Sequence, residues 1–261
     1  MGVDSGLPDF RGDRGFWKAY PPYQRLGMSF VDMANPQWFH RDPEMAWGFY
    51  GHRRNLYRST TPHRGFQILR RWAERMPLGV FIFTSNVDDH FGKAGFDSDQ
   101  IVECHGALEW NQCLARCTDE VFLAGPEILA IDLETMRARP PLPACPNCGS
   151  LARPNVLMFG DGDWRPARQA QQSWRLRWWL ERAAGLPGVI VECGAGAAIP
   201  TVRYFCERES DREMPLVRIN PRDPQVPDGH ISLAAGALEA LDAIDRALAA
   251  STGPGPGPRD R

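Results

Sequence analysis

Residues 78–84 read Leu-Gly-Val-Phe-Ile-Phe-Thr, and the polar run Thr84-Ser85-Asn86-Val87-Asp88 follows without a break. A run of strand length that is apolar on both faces predicts a central parallel strand covered by helices. Gly188–Gly196 (GVIVECGAG) repeats the pattern of strand and glycine-rich turn, and Pro215–Pro221 (PLVRINP) repeats it again. Between the first two, 167–184 carries Trp174, Trp178 and Leu180 at helical spacing. The last regular stretch, about 236–250, is amphipathic through Leu238, Leu241, Ile244 and Leu248. Strands alternating with helices define an α/β chain built on a doubly wound parallel sheet. Such sheets bind ligands beyond the carboxyl ends of their strands, and three polar clusters stand there in phase: Thr84–Asp88, Gly194-Ala195-Gly196 and Asn220.

Upstream, from about 17 to 72, helical segments are punctuated by Pro21, Pro22, Pro36, Pro43 and Pro62. Trp38, Phe39, Trp47, Phe49, Tyr50 and Tyr57 give this region enough aromatic surface for a helical sub-module, with most of these rings in its core. The closing STGPGPGPRDR, 251–261, has nothing to pack with and is expected to be disordered. The 261 residues suffice for one large domain carrying a smaller insertion. Thirty basic against 32 acidic side chains exclude a strongly basic nucleic-acid binder. No apolar run reaches the roughly 18 to 20 residues that span a bilayer. The N-terminus lacks the basic start and apolar middle of a signal peptide, and Gly6 stands where a myristoylation pattern needs Ser or Thr. An odd count of seven cysteines fits reduced thiols in a cytoplasm better than a disulfide framework.

Four of those cysteines carry chemistry. Cys113 and Cys117 are separated by three residues, Cys145 and Cys148 by two, and 27 residues lie between the pairs. Two knuckles joined by a loop close a tetrahedral four-sulfur shell of the kind that holds a structural zinc ion. Gly149, directly after the second pair, suits the tight turn around the metal. Cys104, Cys193 and Cys206 are expected to be apolar core residues.

The order SGLPDFRG, TSNVDDHFGKAG, ECHG, the cysteine quartet, ARPNVLMFGD, a strand ending GAG, and RINP resembles the sirtuin family, the NAD-dependent protein deacylases. The resemblance runs from about Val3 to the final helix. It implies a Rossmann-like catalytic domain over 1–250, with the helical insertion at about 17–72 and a zinc-binding module over 106–155. It also implies that NAD is consumed while an acyl group, expected to be acetyl, leaves a protein lysine, giving nicotinamide and an O-acyl-ADP-ribose. In that chemistry the acyl-lysine oxygen attacks the ribose carbon as nicotinamide departs, and a base then activates a ribose hydroxyl. His105 of ECHG matches the catalytic histidine, a residue type whose ordinary pKa near neutrality suits a base. Asn86 and Asp88 match the motif that holds nicotinamide and its ribose, with Ser85 beside them. Asp9, Phe10 and Arg11 match the segment covering that pocket. Gly194, Ala195 and Gly196 match the turn that lets backbone amides approach phosphate or ribose, and Asn220 matches the adenosine-ribose contact. Leu157 and Phe159 match the segment where an acylated peptide adds as a strand and its acyl-lysine enters a tunnel.

The departures from the family pattern are specific. The family's first strand and its Gly-Ala-Gly turn would precede Met1, so the expectation is either a start codon placed too late or a sheet and NAD site weakened by that loss. Gly2, Ser85 and Gly196 replace a serine, a glutamine and a serine, His90-Phe91 replaces Leu-His, and Asp161 replaces a glutamate, as in a divergent prokaryotic branch. These changes motivate two further readings: an NAD hydrolase or ADP-ribosyltransferase using the same site, and a non-catalytic NAD or ADP-ribose sensor.

Overall fold

A computed structural model describes residues 1–9, 12–210 and 214–251. Phe10, Arg11 and nearly all of the 251–261 tail, on which expectations were placed above, lie outside the described residues. In chain order the elements begin with α1 (Gly12–Ala19), α2 (Pro21–Arg25), α3 (Phe30–Met33), α4 (Trp38–Arg41), α5 (Pro43–Ser59) and α6 (Arg64–Ala73). They continue with β1 (Ile82–Thr84), α7 (His90–Lys93), β2 (Ile101–Glu103), β3 (Gly106–Cys113), β4 (Val121–Leu123), β5 (Ile131–Asp132), β6 (Arg137–Ala138) and β7 (Ala152–Val156). The last are α8 (Ala167–Ala183), β8 (Ile190–Cys193), α9 (Thr201–Ser210), β9 (Leu216–Ile219), β10 (Ile231–Leu233) and α10 (Ala237–Ser251).

The chain forms two compact units. The larger comprises Gly2–Pro62 and Phe81–Arg182. Its helices pack around α5, which starts where the Asp42 carboxylate accepts the Met45 amide at 3.2 Å and Pro43 occupies the first turn. Phe39, Trp47, Phe49, Tyr50 and Tyr57 are buried as expected, and Phe16, Tyr20 and Tyr23 join them. The α5 arginines are buried too. Arg54 donates to the Leu108 carbonyl at 2.7 Å and to Asn111 at 2.5 Å, so the helical module is bonded to β3. In the same unit β1 and β2 pair in parallel with Thr84 opposite Glu103, and β4-β3-β7 form an antiparallel sheet.

The smaller unit comprises Met1, His63–Val80 and Ala183–Arg261. Its parallel sheet has the order β10-β9-β8. Ile68 of α6, Ile219 of β9 and Leu241 of α10 are fully buried against one another. Asp245 clips α10 to α6 by accepting from Arg71 at 2.7 Å and from the Trp72 indole at 2.9 Å.

The α/β class and the positions of α8, β8, β9 and α10 match the sequence expectations, with three differences. The strand expected over 78–84 is only Ile82–Thr84, because Gly79 closes a turn onto Met76 at 3.0 Å. The parallel strands form two sheets, and among the described residues no strand bonds to both. The helical run divides at Pro62, since α6 buries Ile68 against the smaller unit's core.

Candidate functional site

His105 lies in the turn between β2 and β3. The Cys104 amide donates to the Thr84 carbonyl at 2.9 Å, and the Leu108 amide donates to Val87 at 3.1 Å, so this turn is stitched to the segment carrying Ser85, Asn86 and Asp88. Gly106 makes the turn possible. Its φ is +75°, and a Cβ there would lie 2.0 Å from the Asn155 carbonyl oxygen. On the other side, the His105 carbonyl accepts the Leu157 amide at 3.0 Å. Burial pushes the His105 pKa below its ordinary value, only partly opposed by a hydrogen bond with the Ser85 backbone. The imidazole is therefore neutral at pH 7 and able to accept a proton.

Asn86 is exposed, its amide donating to Thr84 Oγ1 at 3.1 Å. Asp88 is buried and accepts the His90 amide at 3.1 Å. Both residues line a polar cleft together with Asp89, Glu103, Arg168 and Gln172. Arg168 lies over the Trp110 ring at 4.5 Å and donates to the buried Glu103 carboxylate at 2.5 Å, while Gln172 accepts the Glu103 amide at 3.1 Å. Sequence reasoning passed over this second set of residues. A signal was present, because Arg168 and Gln172 are four residues apart and share one face of α8.

Asp89 is the unusual acid of the cleft. Burial pushes its pKa up to about 6, helped by the charges of Glu103, Glu109 and Asp88 and opposed by Arg168. Its backbone is left-handed, with φ +55°, a conformation Asn and Asp tolerate. A carboxyl whose folded pKa is raised adds stability that is fully present below its unfolded value and is lost as pH rises through about 6. Asp89→Asn is therefore expected to raise Tm at pH 7.5, with the gain shrinking toward pH 5. Melting curves that show a pH-independent difference would refute this.

In the smaller unit, the Gly194 amide donates to Ile219 at 2.8 Å and sets the Gly194–Gly196 turn at the end of β8. Asn220 is fully buried. Its Nδ2 donates to the Ala195 carbonyl at 2.9 Å, and its Oδ1 accepts the amides of Arg222 and Asp223 at 3.0 Å each. Its visible role is to tie the end of β9 to that turn. Asp9 is partly exposed.

Leu157 and Phe159 lie just past β7 in irregular backbone, not within a strand. Both are exposed, with the buried Met158 between them. The ring of Phe159 meets Phe30 edge-on at 6.4 Å.

The four cysteines come together as expected, all four sulfurs within 4.8 Å of one another. Cys113 and Cys148 sulfurs are 3.6 Å apart, and Cys117 and Cys145 sulfurs 3.7 Å. A tetrahedron with zinc–sulfur bonds of about 2.3 Å has edges of about 3.8 Å, so the cage fits zinc, and its separations are far too long for disulfides. The longer first gap is absorbed by Arg116, whose φ of +57° turns the chain back. Gly149, at φ +72°, returns its amide to the Cys145 carbonyl at 2.9 Å.

Among the described residues no helix is long and apolar enough to cross a membrane. The structure thus sets a histidine between a polar strand-end segment and the loop after β7, with a four-cysteine cage on the antiparallel sheet. A family profile described as "Sir2 family" matches residues 1–175, and the chain belongs to that family. Over 249 residues it is 31% identical to NAD-dependent protein deacylase 1 of Archaeoglobus fulgidus, covering 94% of this chain and 88% of the relative. It is also 31% identical to the NAD-dependent protein deacylase of Thermus thermophilus, covering 91% and 82%. The crystal structure of a Sir2 homologue in complex with NAD superimposes with a TM-score of 0.70 at 30% identity, covering 95% of this chain and 86% of the other. A Sir2 homologue variant bound to ADP-ribose gives a TM-score of 0.70 at 29% identity, covering 97% and 90%.

Proposed function

We propose that this protein removes acyl groups from protein lysine with NAD as co-substrate, releasing nicotinamide and an O-acyl-ADP-ribose. The observation that carries this reading is the position of His105. One backbone turn holds a neutral imidazole, is bonded on one side to the end of β1 and the segment after it that carries Asn86 and Asp88, and on the other to Leu157. Bound NAD supplies an electrophilic ribose carbon once nicotinamide leaves. Once the acyl-lysine oxygen has bonded to that carbon, His105 would take the proton from the ribose hydroxyl as it bonds to the acyl carbon, and its lowered pKa keeps it ready to do so. Asn86 and Asp88 orient the nicotinamide ribose, with Ser85 and Asp9 beside them, and Phe10 and Arg11 are assigned to cover the nicotinamide from the sequence motif alone. In the smaller unit, Gly194, Ala195 and Gly196 offer backbone amides for the adenosine half of NAD, and Asn220 is assigned the adenosine-ribose contact while it shapes that turn. Zinc on Cys113, Cys117, Cys145 and Cys148 supplies structure, since four thiolates leave no open coordination position. On this reading 1–250 is the catalytic domain, carrying the helical insertion at 17–72 and, over 106–155, the zinc module. The thiol-rich cage fits a reducing cytoplasm.

The test is product analysis after incubation with NAD, with and without acyl-lysine peptides. The panel includes acetyl, longer neutral and acidic acyl groups. An acidic group belongs in it because the buried Arg53 guanidinium lies 5.8 Å from the ring of Phe30, which itself meets Phe159. Nicotinamide and O-acyl-ADP-ribose formed only with peptide are expected. Free ADP-ribose without peptide would replace this reading with the hydrolase, and binding without turnover would replace it with the sensor.

A further inference from the structure

The loop that follows β7 is held from within by a buried ion pair. Arg153, 1% exposed, lies in β7, and Asp161 lies five residues past the strand's end. The guanidinium grips both ends of the intervening segment. Its Nη2 donates to the Val156 carbonyl at 3.0 Å, and it pairs with both Asp161 oxygens, Nη1 to Oδ1 at 3.0 Å and Nη2 to Oδ2. Asp161 in turn accepts the amides of Met158 and Asp163 at 3.3 Å each. The Phe39 ring, 5.9 Å from the guanidinium carbon, closes the remaining side.

Three consecutive amides of this segment are thereby committed inward. Leu157 donates to His105, Met158 to Asp161 and Phe159 to the Ala34 carbonyl at 2.9 Å. With Met158 anchored and buried, Leu157 and Phe159 turn outward on either side of it. A peptide that pairs with this segment then meets its carbonyl oxygens in a fixed register. Leu157 also bonds to the backbone of His105, so the register of the peptide is set relative to the base.

We propose that Arg153 and Asp161 are positioning residues for the acylated peptide: their buried pair sets the backbone of Leu157–Phe159 so that the acyl-lysine is delivered to His105. The proposal rests on the deacylase reading above. Among the described residues neither side chain hydrogen-bonds to the segment Asn86–Asp88, so its effect falls on peptide and not on NAD.

The test measures KM for peptide and for NAD separately, together with hydrogen exchange at the Met158 amide. Asp161→Asn removes the charge that Arg153 needs and weakens the acceptor for Met158. It is expected to raise peptide KM by about tenfold to a hundredfold with NAD KM within about twofold, as a displaced substrate site does. Met158 exchange is expected to accelerate, and Asp161→Glu, which keeps the charge, to restore most of the peptide KM. A lone buried arginine can prevent folding. The paired Arg153→Met and Asp161→Leu change removes both charges and is expected to fold with the same rise in peptide KM. Unchanged peptide KM in the folded variants, or equal rises for peptide and NAD, would overturn the proposal. Should the wild-type protein show no peptide-dependent turnover, the deacylase reading fails instead, and Met158 exchange still decides whether the pair sets the loop.

Discussion

His105→Ala is expected to lower deacylation by about 100- to 10,000-fold, the range for loss of a positioned general base. The fold should survive, because the imidazole is half-buried at a turn whose geometry is set by Gly106 and by the amides of Cys104 and Leu157. NAD affinity, measured by calorimetry, should change little, since the proposed role of His105 is to move a proton and not to hold the nucleotide. The wild-type pH profile supplies an independent check. Burial lowers the His105 pKa, so its neutral, active form persists below the ordinary histidine value of about 6.5. The acid limb of kcat/KM should therefore turn down below about 6.5, and it should vanish from the residual activity of the alanine variant. Undiminished turnover in His105→Ala would remove the histidine from the mechanism.

Cys145→Ser has the other large effect. The wild-type protein is expected to carry about one zinc ion per chain, and structural zinc contributes directly to folding free energy. Cys145 is anchored at both ends of its knuckle, its amide donating to Ser150 at 2.7 Å and its carbonyl accepting Gly149. Cys113 terminates β3, and β7 begins at Ala152, directly opposite it in the ladder. Opening the cage therefore loosens the register of β3 with β7, and β7 leads into the Arg153–Asp161 clamp. Loss of zinc by substitution or chelation should lower Tm by about 10 °C or more and raise peptide KM. Metal analysis with melting curves checks the first effect, and steady-state kinetics the second. A protein that melts unchanged after complete chelation would leave the cage without a structural role.

The fold class was legible because its signals are local. A run apolar on both faces gave β1, the repeated pattern of strand and polar turn gave β8 and β9, and helical spacing placed α8 and α10 within a residue or two of their observed ends. The cysteine spacing was equally local in each half, and the cage closed as the two pairs required. His105, Asn86 and Asp88 were found through short motifs in a fixed order. The shortness of β1 was not legible, since an apolar run does not say where a turn will interrupt it.

The residues that only the tertiary structure brought out depend on partners distant in the chain. Asn220 donates its Nδ2 to the Ala195 carbonyl 25 positions away, a partner no local pattern announces. Asp89 is an ordinary aspartate in sequence, and its raised pKa arises from burial beside Glu103 and Glu109. Arg153 and Asp161 both stand in the stretch ARPNVLMFGD, but their pairing across eight positions could not be read from it, and Phe39 reaches them from another part of the chain. Patterning along the chain determined which segments become strands, helices and metal knuckles, because period and spacing are properties of neighbours. Folding decided which polar groups lose their water and what replaces it. Desolvation and hydrogen-bond partnership exist only once distant segments meet, and they turn His105 into a neutral base, Asp89 into a weak acid and Asp161 into an anchor.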